Sequence, residues 1–310
     1  MNMLETNILR MMKMKIPRPT SVPLQAGFTL IELMLVCAIL VIVLGSVFNG
    51  ISLTIQRSEA EQTKVDLTQE GREFVDEFER DLHQAGYPNC RTVAAPGLLG
   101  VPNCPADDTN IIEEHNPAVA VGLVYVSNTK IIFEGAIDGS GTVYSVQYRL
   151  VDSALNYPPT TSCPCTLQRS EMAKVNGPSL TQPVLWTQEL QNVVNSGVPG
   201  GNAPYGNGLP ISGDTAWGAT DSAYYAAITT FKDYPVFQAY DQSGNIVALP
   251  LDITTPTGTA ALTCAATSNS CVKSVRLTIN LLANALTGAD LQTRVRPVTT
   301  MVGNARLVNN

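Results

Sequence analysis

Residues 28–48 read FTLIELMLVCAILVIVLGSVF and contain a single charged side chain, Glu32. As a helix, this stretch is about 31 Å long at a rise of about 1.5 Å per residue, enough to cross the hydrocarbon core of a bilayer. The sequence therefore predicts one membrane-spanning helix near the N-terminus.

The charge of the chain changes sign across this helix. Residues 1–27 carry four basic side chains and one acidic one, whereas residues 28–310 carry 15 basic and 25 acidic ones. A basic flank ahead of an apolar run predicts that the N-terminus stays in the cytoplasm and that the body is exported. Because the body is acidic, no nucleic-acid partner is expected.

Three ordinary explanations of the apolar run fit poorly. A cleaved secretory signal needs a small-x-small site after the run, and residues 43–45 (VLG) match it badly. A lipoprotein site needs a small residue before Cys37, where Val36 stands. A plain signal anchor fits the hydropathy but leaves Glu32 unexplained, since an ionised glutamate near hydrocarbon is costly unless it is paired.

The motif at residues 27–32, GFTLIE, strongly resembles the prepilin cleavage site of type IV pilins and type II secretion pseudopilins. The resemblance implies that a prepilin peptidase cuts after Gly27, that the new N-terminus at Phe28 is methylated, and that Glu32 acts in assembly. It also implies a pilin-like α+β fold, with a long N-terminal α-helix packed on an antiparallel β-rich head.

The position of Glu32 agrees with this resemblance on physical grounds. Cleavage after Gly27 leaves the apolar helix attached and creates an ammonium group at Phe28. A carboxylate four residues along can pair with the ammonium of a neighbouring subunit, and at low dielectric such a pair is favoured over two separate charges. We therefore expect this ion pair to set the axial register of a filament.

The sequence predicts four consecutive segments. These are a prepilin leader (1–27), a transmembrane and filament-core helix (28–48), an amphipathic helix (49–87) and a β-rich exported head (88–310). The head is rich in Gly, Asn and Pro at 195–218, which predicts a long surface loop or a joint between two parts.

The amphipathic helix is identified by an apolar stripe with helical spacing, formed by Phe74, Val75, Phe78 and Leu82. The remaining face is predicted to be charged and exposed, with Glu70, Arg72, Glu73, Asp76, Glu77, Glu79, Arg80 and Asp81. The Asn49-Gly50 pair is a weak helical position that favours a local bend. Gly86 and Pro88 are expected to end the helix.

The head alternates apolar and polar residues in several short runs that predict strands. They lie at 118–127, 130–137, 142–151, 167–175, 226–240, 246–251, 272–280 and 293–307, and the first two form a hairpin. Residues 184–194 fit either a strand or a short helix. The segments 138–141 (DGSG) and 241–245 (DQSGN) are interpreted as turns rather than calcium loops.

Six cysteines follow the apolar run: Cys90, Cys104, Cys163, Cys165, Cys264 and Cys271. Their even number in loop-like sequence predicts disulfides and an oxidising compartment. Short loops favour the pairs Cys90–Cys104 and Cys264–Cys271, which leaves Cys163 with Cys165. A zinc site that combines Cys163 and Cys165 with Cys90 and Cys104 is the alternative, but the spacing is not that of a zinc ribbon. We therefore expect no metal.

No enzymatic role or cofactor is expected, because the two histidines, His83 and His115, accompany no nucleophile or metal motif. Residues 78–87 (FERDLHQAGY) and 237–244 (FQAYDQSG) resemble PilW-type minor pilins. This resemblance implies a minor pilin that primes type IV pilus assembly and joins a tip complex. The related J-type pseudopilins of type II secretion are the first alternative, and a pilin-anchored adhesin or ligand-binding head is the second.

The same resemblance implies the partners and the location. The partners are prepilin peptidase, other minor and major pilins, the inner-membrane assembly platform, and membrane lipid before assembly. The chain is expected to cross the inner membrane once, with the head in the periplasm, and then to enter a cell-surface pilus.

Overall fold

The computed structural model describes residues 27, 29–88, 116–152, 154–159, 163–195, 234–262, 271–283 and 298–307. They form helix α1 (Leu30–His83), an antiparallel sheet and a short helix α2 (Pro256–Leu262). The chain divides into two compact units, residues 1–52 and 53–310, so that the sheet belongs entirely to the second. The α+β class predicted from the sequence is confirmed.

Helix α1 covers most of the two helical segments that the sequence predicts, 28–48 and 49–87. Asn49 and Gly50 are both helical, because the penalty for one glycine, about 1 kcal/mol, is small against a helix of this length. The helix ends at His83, and Gly86 follows with a positive φ of 78°. The predicted helix end is therefore confirmed, with glycine in the left-handed conformation that an L side chain rarely adopts.

The strands overlap the predicted runs, but the run predicted at 246–251 forms two separate two-residue strands rather than one. Their bounds are β1 Leu123–Val126, β2 Lys130–Gly135, β3 Tyr144–Val151, β4 Cys165–Ala173, β5 Thr187–Val193, β6 Phe237–Asp241, β7 Ile246–Val247, β8 Leu251–Asp252, β9 Val272–Leu282 and β10 Val298–Arg306. The ambiguous segment 184–194 is thus a strand. Parts of the predicted runs at 226–240 and 293–307 lie outside the described residues.

These strands form one ten-stranded sheet in the order β7-β6-β9-β5-β4-β3-β2-β1-β8, with β10 paired to β9. Neighbouring strands pair antiparallel, and the predicted hairpin of β1 and β2 is present. The chain that leaves α1 joins the end of β2, where Ala85 bridges to Gly135. The Gly86 amide donates to the Glu134 carbonyl oxygen over 2.8 Å, which fixes the helix end to the sheet.

The core of the second unit lies between α1 and the sheet. Phe74 and Phe78 present their rings edge-on to the ring of Tyr148, with centroids 5.7 and 5.4 Å apart. Phe78 and Leu82 are fully buried. The predicted apolar stripe is therefore the face of α1 that packs on β3, and such edge-to-face pairs add to the free energy gained by burial.

The sequence pattern predicts that Asp81 lies on the charged, exposed face of α1, and this prediction is wrong. Asp81 is buried, because Tyr148 and Arg169 on β3 and β4 supply donors for its carboxylate. Helical periodicity cannot show this, since those donors lie far along the chain. A charged side chain enters a core when such partners are available.

The sheet is buried on its second face as well, and polar side chains form much of that layer. Ser145, Gln147, Gln168 and Ser170 are all buried there. The Ser170 hydroxyl accepts the Leu185 amide over 3.0 Å, which ties the segment before β5 to the sheet. The Lys174 ammonium donates to the Glu134 carboxylate over 2.6 Å, and both side chains are fully buried.

The two segments interpreted as turns are stabilised by their aspartates. The Asp138 carboxylate accepts the Ser140 amide over 2.9 Å, and Asp241 accepts the amides of Ser243 and Asn245, each over 2.8 Å. These are Asx turns, in which an aspartate replaces a backbone acceptor. Both segments form turns in the structure.

Candidate functional site

The candidate site lies at the start of α1, where Thr29 precedes the first helical residue, Leu30. The Thr29 hydroxyl oxygen accepts the Glu32 amide over 3.3 Å, and the Glu32 carboxylate accepts the Thr29 amide over 3.0 Å. The same carboxylate oxygen, Oε2, also accepts the Thr29 hydroxyl over 3.0 Å. This reciprocal arrangement is a capping box, which satisfies amide groups that a helix leaves free at its N-terminus.

Glu32 therefore has a partner within its own chain, in addition to the partner that the sequence predicts. Its Oε1 atom takes no hydrogen bond from the described residues, and the residue is exposed. The carboxylate can accordingly keep its bonds to Thr29 through Oε2 while Oε1 receives an external donor. Sequence reasoning missed this capping box, although the signal, Thr-x-x-Glu ahead of an apolar run, is visible at Thr29–Glu32.

Gly27 is described and exposed, and no atom lies within 4 Å of the position that a Cβ would occupy. A β-carbon at this position would therefore meet none of the described residues. Phe28, the predicted methylation site, lies outside the described residues. So do Cys90, Cys104 and Cys264.

The apolar side chains at residues 30–48 of α1 are uncovered within the described structure. Leu30 is 76% exposed, Ile42 is 72% exposed and Phe48 is 66% exposed. Monomeric soluble proteins rarely expose a contiguous apolar surface of this extent. Among the described helices, α1 alone is long and apolar enough to cross a membrane. Lipid or another apolar protein surface is thus required to cover it.

The cysteines that the structure describes are placed as follows. Cys163 and Cys165 are joined by a disulfide at the start of β4, and Cys271, just before β9, is also disulfide-bonded. Cys37 is a free thiol on the apolar part of α1. The two sulfur atoms of the CxC pair are thus bonded to each other.

The histidines are not brought together into a site by the described residues. His83 is exposed at the last turn of α1, and His115 lies outside the described part. No group of three His, Cys, Asp or Glu side chains in the described ranges is placed to hold a metal ion.

The comparison with family models gives one match, the prokaryotic N-terminal methylation motif, at residues 23–48. The matched residues contain Gly27, the capping box and the uncovered part of α1. Comparison with curated proteins gives no match, and comparison with solved structures gives none either.

The motif is the one that prepilin-type proteins carry, and it supports membrane anchoring and a structural role. Together with the apolar helix and the sheet that follows it, the match supports a type IV pilin-like family, of a pilus or of a pseudopilus. In this family the motif implies processing by a prepilin peptidase and assembly with other pilins.

Proposed function

We propose that the chain is a minor pilin of the PilW type, which primes assembly of a type IV pilus and joins a complex near its tip. The proposal depends chiefly on an exposed carboxylate, Glu32, at the start of an apolar helix that nothing described covers. Lipid covers such a helix before assembly, and the helices of neighbouring subunits cover it afterwards. The resemblance of residues 78–87 to minor pilins supports the PilW assignment.

Processing supplies the partner that Glu32 requires. The peptidase cuts after Gly27 and releases an ammonium group at Phe28, which is then methylated. Before assembly, Glu32 is held by the Thr29 amide and hydroxyl. In the filament its Oε1 atom meets the ammonium of a neighbouring subunit, and the low dielectric of the helical core makes that pairing strongly favourable.

The same proposal sets the topology. The basic residues 1–27 stay in the cytoplasm, the apolar part of α1 crosses the inner membrane, and the sheet lies in the periplasm before it reaches the pilus. The disulfide between Cys163 and Cys165 supports this location, since disulfides persist in oxidising compartments.

A J-type pseudopilin of type II secretion is the main alternative, because it uses the same N-terminal motif and helix. The neighbouring genes distinguish the two: minor pilin genes support the proposal, and secretion genes support the alternative. A pilin-anchored adhesin is a further alternative, which rests on the predicted loop at 195–218. Binding of the purified protein to a surface in the absence of other pilins would favour it.

Glu32→Gln tests the assembly mechanism in the native host. The amide keeps an oxygen for the Thr29 capping bonds but removes the charge. We expect cleavage at the parental level, seen as the parental size on a gel, with incorporation into sheared filaments reduced about tenfold or more, since loss of one partner of a low-dielectric pair costs about 3–5 kcal/mol.

Thr29→Val is the matched control, because it removes the capping hydroxyl and leaves the carboxylate in place. Its incorporation should stay near that of the parent. Parental incorporation of Glu32→Gln contradicts the pairing mechanism. Equal loss in both variants also contradicts it, since helix capping would then explain the phenotype.

A further inference from the structure

Two cations lie side by side on the face of the sheet that points away from α1. Lys130 on β2 and Arg149 on β3 are direct cross-strand partners, so their side chains leave the same face. Like charges placed directly opposite each other destabilise a sheet. The arrangement therefore costs stability unless an anion lies between or beside the two cations.

Two aromatic rings enclose this pair. The Arg149 guanidinium lies over the Trp186 ring, with its central carbon 3.9 Å from the ring centroid, and the Tyr157 ring lies 5.9 Å from the same carbon. The Lys130 ammonium is 5.4 Å from the Tyr157 centroid. The Arg149 Nε atom donates to the Gln168 side chain over 2.9 Å. The guanidinium is thus held on three sides, and its two terminal nitrogens form no hydrogen bond with the residues that the structure describes.

No carboxylate of the described residues forms an ion pair with either cation. Burial lowers the pKa of Lys130, and the nearby positive charge of Arg149 lowers it further. Burial likewise lowers the pKa of Arg149. An anion seated here would raise both pKa values, whereas among the described residues the partners of the two cations are the rings of Tyr157 and Trp186 and the Gln168 amide.

The chain next to Trp186 adds an apolar surface. Leu185 is 70% exposed and Val184 is 44% exposed, and the Leu185 amide is held by the Ser170 hydroxyl. These side chains are therefore presented by a fixed segment. A free anion would not contact these apolar side chains. A peptide with acidic and apolar side chains can contact both the cations and the apolar surface.

We propose that Lys130, Arg149, Tyr157 and Trp186, here called the Arg149 site, bind an acidic segment of another protein. One carboxylate of that segment lies in the plane of the Arg149 guanidinium and accepts two hydrogen bonds from it, with Lys130 as the second cation. An apolar side chain of the same segment packs on Leu185. Because Arg149 covers one face of Trp186, that face cannot stack on a sugar ring.

The full chain in detergent tests this site through the fluorescence of Trp186. The sequence contains two tryptophans, so Trp217→Phe leaves Trp186 as the single indole. The probe is a blocked tetrapeptide of leucine, aspartate, glutamate and leucine. Its matched control replaces the two acids with asparagine and glutamine. Free glutarate and an oligomer of glucuronate are the other two probes.

We expect a saturable change in emission with the acidic peptide, which weakens as salt is added. Arg149→Gln and Lys130→Gln should each weaken binding about tenfold or more, as expected when a charge-assisted contact is lost. Arg306→Gln, which removes an exposed cation on β10, should leave binding unchanged. The tightest probe should be the acidic peptide, and the amide peptide should be the weakest.

Equal binding of the amide peptide overturns the proposal, and so does unchanged affinity in Arg149→Gln. Glutarate that binds as tightly as the peptide would mean a site for free anions, and tighter glucuronate binding would mean a sugar site. Absence of saturable binding also overturns the proposal. If circular dichroism shows that Arg149→Gln does not fold, the affinity of Lys130→Gln for the acidic peptide and the salt dependence of binding by the parent test the proposal instead. None of these results depends on cleavage at Gly27.

Discussion

Tyr148 donates its phenolic hydroxyl to the Asp81 carboxylate over 2.8 Å, and this bond joins the third strand of the sheet to α1 inside the core. Arg169 donates to the same carboxylate oxygen over 2.7 Å. Burial, and next the charge of Asp81, raises the pKa of Tyr148 well above its usual value, so the hydroxyl keeps its proton. The last turn of α1 is thus anchored by a polar contact as well as by its apolar stripe.

Substitutions at this contact should lower the free energy of unfolding. Asp81→Asn weakens a bond between charged groups and should cost about 2 kcal/mol, since Arg169 keeps Glu77 and Glu171 as partners. Tyr148→Phe keeps the ring and should cost about 1 kcal/mol. Urea unfolding in detergent, followed by near-ultraviolet circular dichroism, measures both values.

Asp76→Asn is the control for this prediction, because Asp76 lies on the exposed face of the same helix. It should change the free energy of unfolding by less than about 0.5 kcal/mol. If Asp81→Asn is no more destabilising than Asp76→Asn, the buried contact does not anchor the helix.

The pair of Glu134 and Lys174 predicts a strong asymmetry between single and double substitutions. Lys174→Met leaves the Glu134 carboxylate without its cation in a fully buried place and should cost about 3–5 kcal/mol. The double variant Glu134→Gln with Lys174→Met removes both charges and should recover at least about half of that loss. A double-mutant cycle in urea gives the coupling directly.

Lys64→Met, on the exposed face of α1, controls for the change of a lysine to methionine. A double variant as unstable as the two single losses added together would show that the charges do not interact. We expect the double variant to lose clearly less free energy of unfolding than the sum of the two single losses.

Gly27→Leu should block processing without disturbing the helix. No atom of the described residues lies within 4 Å of the added Cβ, so we expect any defect to arise at the peptidase rather than from a clash with them. In the native host we expect an uncleaved, membrane-bound precursor that runs larger on a gel. Gly45→Ala is the control, since Gly45 is equally open within α1. Normal cleavage of Gly27→Leu contradicts the assignment of this bond.

Acid should weaken the turn between β6 and β7. Hydrogen bonds from the Asn245 side chain and amide lower the pKa of Asp241 below its usual value. The folded pKa is thus lower than the unfolded one of about 3.9, so the contribution to stability is complete above the unfolded pKa and is lost as the pH falls through the folded value. The free energy of unfolding of Asp241→Asn should therefore differ most from that of the parent near pH 5 and least near pH 2.

A urea series at each pH measures this difference, and Asp66→Asn, an exposed change on α1, supplies the effect of net charge alone. If the difference in the free energy of unfolding between the parent and Asp241→Asn stays constant from pH 5 to pH 2, the charged carboxylate does not stabilise the turn.

The sequence allowed the apolar helix, the stripe on its second half and most strands to be predicted, because each is a periodic pattern within a short window. The burial of Asp81 and Glu134 could not be predicted from the sequence, since strand pairing brings their partners Arg169 and Lys174 to them. Helix α2 was also missed, although the Thr255 hydroxyl accepts the Gly258 amide as an N-cap signal.

The candidate site shows the same division. Gly27, Phe28 and Glu32 are predicted as site residues from their order in the sequence, whereas the bonds of Glu32 to Thr29 required the geometry of the first turn. The Arg149 site could not be predicted, because its four side chains come from separate segments. Strand pairing places Lys130 beside Arg149, and the segments after β3 and before β5 bring Tyr157 and Trp186 to them.

The central claim is that cleavage ahead of the apolar helix creates the positive charge that Glu32 needs. Mass spectrometry of the intact protein and of its N-terminal peptide, isolated from the native host, tests it most directly. We expect a mature chain that lacks residues 1–27 and begins with methylated Phe28. A chain that keeps its basic leader, or one that is cut after residue 48, would contradict the account.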